Sequence, residues 1–130
     1  MINASEEFIK NYPLLFAQSR ENPLGVHYWG LECGSGWFGL LEVLCQRAQA
    51  HIDHKKIEQV VFRQIKEKFG ELRVSYSGGD EYIDALIDMT EAFSAIVCES
   101  CGAPGVKQHL KGGWIKTVCR ACSSEFESRV

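Results

Sequence analysis

Two Cys-x-x-Cys pairs, Cys98/Cys101 and Cys119/Cys122, stand near the end of the chain with seventeen residues between them. In each pair the thiols are three residues apart, close enough to reach one ion from a tight turn. The interval between the pairs suits a four-cysteine zinc site. Gly102 follows Cys101 directly and permits the positive φ that such a turn often needs. Between the pairs, residues 106–110 and 114–118 read as short strands around Lys111-Gly112-Gly113. The pattern predicts a zinc ribbon, in which two knuckles are joined by a hairpin and clamped by one structural Zn2+ held by Cys98, Cys101, Cys119 and Cys122. Four thiolates would close the coordination shell and leave no position for water, so the ion is expected to be structural. Two other chemistries use the same residues. Redox pairs do so, although a redox Cys-x-x-Cys usually comes singly at a helix start, and an iron centre with four thiolates has the same geometry.

At 130 residues the chain can bury a core without a metal. The reading is an α+β domain over residues 1–97 followed by the ribbon over 98–130. No apolar run approaches the ~18 residues of a membrane span. The start, MINASEEFIK, lacks the basic-then-apolar pattern of a secretory leader. The expected location is therefore the cytoplasm, where thiols stay reduced and six cysteines do not imply three disulfides. The formal net charge of −3 argues against a surface built wholly for nucleic acid.

Asn3 to Glu6 has capping-box spacing and opens a short helix through Asn11, and Pro13 would either break that helix or open a second one at its first turn. Phe8, Tyr12, Leu15 and Phe16 are expected on one apolar face. Residues 21–36 read as loop, with a short extended piece around His27–Trp29. A helix is predicted over 37–53, capped by Ser35, with Trp37, Leu41, Leu44, Ala48 and Ile52 inward and Cys45 as a small buried hydrophobe. Residues 58–77 read as a β-hairpin turning at Phe69-Gly70-Glu71, with Leu72, Val74 and Tyr76 on one face and Arg73 and Ser75 on the other. After Gly78-Gly79, Asp80 caps a helix reaching about Ile96. Its inner face is Ile83, Leu86, Ile87, Thr90, Phe93 and Val97.

Other residues with possible chemistry have simpler readings. His51 and His54 suit a helix C-terminus on dipole grounds. His109 lies inside a ribbon that already has four ligands. Cys33 would need a neighbouring base to act as a nucleophile, and His27 is six residues away. Lys55, Lys56, Arg63, Lys66, Lys68 and Arg73 cluster around the hairpin, while Lys111, Trp114 and Lys116 sit on the ribbon. Basic groups beside aromatics can track nucleic acid, but three acids are interleaved in residues 55–73. Residues 74–97 carry five acids and no base. Asp80, Glu81, Asp84 and Asp88 line one side of the predicted helix, either as a solvated face or as a surface for a basic partner.

Three segments together resemble an uncharacterised family of small bacterial and phage-encoded proteins. They are GWFGLLEVLC (36–45), QIKEKFGELRVSY (64–76), and CESCGAPG with GWIKTVCRAC (98–122). The resemblance spans about residues 30–122. It implies a bacterial or phage source and a C-terminal zinc ribbon, and it implies no activity. The expectation drawn from all this is a non-enzymatic protein acting through protein–protein contact. An immunity or antitoxin-type inhibitor of a toxin is favoured, by analogy with small, mildly acidic bacterial proteins. A nucleic-acid-binding regulator and a phage accessory protein are the alternatives.

Overall fold

The computed structural model describes residues 4–17 and 31–128. The expected cap at Asn3 and extended piece at His27–Trp29, with His27 itself, lie outside the described residues. The described chain is α+β, with helices packed on one small antiparallel hairpin and a second hairpin beside the four cysteines.

Helix α1 (Ala4–Lys10) is followed by turns through Phe16. Phe8, Ile9, Leu15 and Phe16 are buried and Tyr12 packs at their margin. The Phe16 ring meets Phe62 at 5.2 Å between centroids, and Phe8 meets Phe38 at 5.7 Å. Contacts of this kind add ~0.5–1.5 kcal/mol each beyond area burial.

Helix α2 (Phe38–Lys55) runs slightly longer than expected. Ser35 is not its cap. A 3-10 turn over Ser35–Trp37 precedes the helix, with extended Gly34 at the cap position and no side chain capping it. Trp37 therefore belongs to the turn, where it is fully buried. Leu41, Leu44, Cys45, Ala48 and Ile52 form the inward stripe, and Lys56 ends the helix in the left-handed conformation (φ 54°).

Strands β1 (Val61–Lys68) and β2 (Glu71–Ser77) pair antiparallel, with a bulge between Phe62 and Gln64. The register pairs Lys68 with Glu71, so the turn is the two-residue Phe69-Gly70. Both residues have positive φ, 53° and 81°, as a type I′ hairpin turn requires. The outward edges of this sheet are occupied. The Phe62 N–H donates to Leu15 O at 2.8 Å. Glu32 forms a one-residue parallel bridge, donating to Ile65 O and accepting from Glu67 N–H.

Helix α3 (Glu81–Ser94) packs on β2 and α2 and supplies the other edge. Ser94 Oγ accepts the Leu72 N–H at 2.9 Å and Glu91 Oε2 accepts the Val74 N–H at 2.8 Å. The helix stops two residues before the expected Ile96. Ile83, Ile87, Thr90 and Ser94 face the core, and Leu86 and Val97 pack at its margin. Phe93 does not face inward as expected, being 48% exposed. Successive helical residues are ~100° apart, and the hydroxyl needed at the β2 edge takes the inward position at Ser94. Ser94→Ala would leave the buried Leu72 N–H without its acceptor. The expected loss is ~1–3 kcal/mol, read as a lower urea midpoint at unchanged m.

Candidate metal centre

The ribbon is built as its spacing predicts. Strands β3 (Val106–His109) and β4 (Ile115–Val118) pair antiparallel from Val106/Val118 to His109/Ile115. Gly112 and Gly113 hold positive φ in the turn between them. At the open end, Cys98 O accepts the Gly102 N–H at 2.9 Å, closing the first knuckle, and Gly102 has φ 85°. The second knuckle opens helix α4 (Arg120–Ser128), which the sequence reading did not anticipate. The Cys122 N–H lies 3.5 Å from Cys119 Sγ, and the Ser123 N–H donates to Cys119 O. Cys119 thus sits where a capping residue would, and its sulfur takes the place of a capping oxygen.

The sulfurs of Cys98, Cys101, Cys119 and Cys122 all lie within 4.8 Å of one another, and Cys101 and Cys119 are 3.7 Å apart. None of the cysteines forms a disulfide, whose bond length would be ~2.05 Å. A tetrahedral ion bonded to sulfur at ~2.3 Å spaces its ligands at roughly 3.8 Å. The four cysteines therefore fit one metal ion. Burial opposes charge at Cys98, but backbone N–H groups of Cys119, Cys101 and Ser100 point at its sulfur and bring the thiol down to about 7. Cys122 moves upward, because the neighbouring Cys119 and Cys98 sulfurs compete with it for charge. Four thiolates this close would repel one another without a cation among them.

The first knuckle is fastened to residues 34–37. The Gly36 N–H donates to Glu99 O at 2.7 Å, and Trp37 Nε1 donates to Val97 O at 2.8 Å. The Gly34 N–H donates to Glu99 Oε2 at 2.8 Å. Glu99 is 8% exposed. Its other oxygen lies 3.7 Å from Lys116 Nζ, which also pairs with Glu67 Oε1 at 2.9 Å. Glu67 Oε2 in turn accepts the Gly70 N–H at 2.7 Å, and Thr117 Oγ1 donates to Gly70 O at 2.5 Å. The β1–β2 turn thus sits against β4. Cys98, Leu110 and Val118 make a small cluster separate from the main core. Gly34 and Gly36 of CGSGW, expected only as loop, allow the close approach of the Glu99 backbone on which this clamp depends.

Other candidates fall elsewhere. His109 is exposed at the turn end of the ribbon, outside the sulfur cluster. Cys33 is half-buried, and burial followed by the nearby Glu99 and Glu67 pushes its thiol up to about 12, which disfavours the nucleophilic thiolate. Cys45 is fully buried, and burial and Glu42 raise it as well. His51 is paired, with Nε2 2.9 Å from Asp80 Oδ2 and its ring stacked on Tyr82 at 4.0 Å. The hydrogen bond from His51, helped by the Ile83 N–H, holds the Asp80 carboxyl below its usual range.

The acidic row divides. Asp80 caps α3 through the Ile83 N–H and holds His51. Asp84 accepts the Tyr76 hydroxyl at 2.6 Å. Glu81 and Asp88 are exposed, with no hydrogen bond or ion pair among the described residues. Two of the basic candidates, Arg73 and Lys116, are matched inside the fold, as is Lys107 on β3. Arg73 and Lys107 both engage Glu71, and Lys116 engages Glu67. No helix among the described residues is long and apolar enough to cross a membrane. No family model, curated protein or solved structure matches this chain.

Proposed function

We propose that the ion is Zn2+, that its role is structural, and that the protein acts without chemistry of its own, through contact with another protein. The observation that carries this reading is the closed set of four cysteine sulfurs, with the first knuckle bonded to residues 34–37. A four-thiolate shell gives water no place to be activated. The metal therefore orients surfaces. Within that reading we favour an immunity or antitoxin-type inhibitor of bacterial or phage origin, working in the cytoplasm. This fits the resemblance in residues 30–122 and the acidity of residues 74–97.

The nucleic-acid reading is weaker because Arg73, Lys107 and Lys116 serve carboxylates of the same chain. A basic surface for phosphates needs cations free to displace counterions. The test is purification of the metal-loaded chain from its host, with identification of co-purifying protein and assay of that protein's toxicity with and without this chain. A stoichiometric protein partner neutralised by the chain is the expected result. Salt-dependent retention on DNA or RNA with no protein partner would overturn the reading.

A further inference from the structure

Helix α3 carries a second apolar stripe that the core does not use. Tyr82, Met89 and Phe93, with Ile96 in the turn that follows, are 43%, 64%, 48% and 56% exposed. Their spacings of seven, four and three residues place them on one face. Ala85 and Ala92, also exposed, fall between them. At ~100° per residue this face lies about 120° round the helix from the buried row Ile83, Ile87, Thr90 and Ser94. Large exposed apolar groups gathered in one stripe, as opposed to scattered singly, mark an interaction surface.

The chemistry of the border identifies the occupant. Glu81 and Asp88 run along one side of the stripe and have no partner among the described residues. Residues 74–97 contain no lysine, arginine or histidine, and His51, whose ring stacks on Tyr82 at one end of the stripe, is already paired with Asp80. Two copies meeting through this face would bring acidic rows together with no base from α3 to answer them. An anionic lipid surface would be repelled in the same way. The geometry points to a basic amphipathic helix of a partner protein, seated with its apolar side on Met89 and Phe93 and its lysines or arginines on Glu81 and Asp88. Helix-against-groove recognition uses anchors at this spacing, and the charges set orientation and association rate. This inference rests on the protein–protein reading above and adds the site and the kind of partner.

The test uses the full metal-loaded chain and two labelled synthetic peptides. One is an amphipathic helix of leucine and lysine, and the other is its leucine and glutamate counterpart. Fluorescence anisotropy should show binding of the lysine peptide alone. Met89→Glu should weaken it about tenfold, or ~1.4 kcal/mol, and Asp88→Lys should weaken it and flatten its salt dependence. Val43→Glu, at a residue on α2 that is 58% exposed, is the control and should change nothing.

Equal binding of the glutamate peptide, or equal weakening by Val43→Glu, would overturn the proposal. A dimer of the unmodified chain that Met89→Glu dissociates would make a second copy the occupant and overturn it too. So would a gain in peptide binding when residues 18–30 are replaced by a Gly-Ser linker, because that segment would then be the occupant. If a native partner is captured and Met89→Glu leaves its affinity unchanged, the α3 site fails while the protein–protein reading stands. If no protein partner exists, that reading fails by itself.

Discussion

Cys98→Ser should cut bound metal from about one ion per chain to a small fraction, the largest effect expected of any single substitution here. Cys98 is the fully buried ligand of the four and receives three backbone N–H groups. A serine hydroxyl is a poor ligand for a soft-to-borderline ion, and it would leave those donors aimed at an oxygen placed for a larger sulfur. Structural zinc contributes ~10–16 kcal/mol in small zinc modules at neutral pH, so loss of one thiolate should release the local fold of residues 98–122. The helices and first hairpin share a separate core of Trp37, Leu41, Leu44, Phe62, Ile65, Leu72 and Ile83 and should remain folded. Hydrogen exchange should therefore show β3 and β4 deprotected while the inner turns of α2 stay protected. Metal content after dialysis supplies the second readout, and Cys33→Ser, outside the sulfur cluster, should retain the ion. Full metal retention in Cys98→Ser would overturn the ligand assignment.

Gly36→Ala should destabilise the protein by about 3 kcal/mol and lower its melting temperature by roughly 10 °C. A Cβ at this position would lie 2.5 Å from Glu99 O and 2.6 Å from Glu99 C. These are backbone atoms of the first knuckle and cannot swing aside as a side chain would. Relief requires the knuckle to move off the 34–37 segment, breaking the bond from Gly36 N–H to Glu99 O. Metal affinity should therefore fall along with stability. Gly39→Ala makes the comparison internal to the protein. A Cβ there meets nothing within 4 Å, the site is helical and exposed, and alanine is the better helix former by up to ~1 kcal/mol. Thermal unfolding of the two variants should move in opposite directions. Equal melting temperatures would mean that the 34–37 segment does not hold the knuckle.

Local rules made most of this architecture legible. The spacing of the cysteines carried the whole ribbon, because ligand geometry leaves few ways to place two Cys-x-x-Cys pairs around one ion. Gly70 and the alternation after it located the first hairpin, and Asp80 located the start of α3. What escaped depended on partners distant in the sequence. Ser94 is a polar residue turned inward because Leu72, twenty-two positions earlier, needs an acceptor, and its inward position turns Phe93 out. CGSGW carries no periodicity, so nothing local said that its glycines make room for the backbone at Glu99. His51 looked like a charge suited to a helix end, yet it pairs with Asp80, twenty-nine residues on. Helix α4 was missed because its cap is a sulfur already assigned to the metal.

The edge amides of the first hairpin have a consequence for assembly. Phe62 and Glu67 on β1, and Leu72 and Val74 on β2, already donate their outward N–H groups within the chain. A strand from another molecule would have to displace Leu15, Glu32, Ser94 or Glu91 before it could add to either side. This two-stranded sheet therefore offers little template for strand exchange or fibre growth, and recognition by strand addition is closed to it.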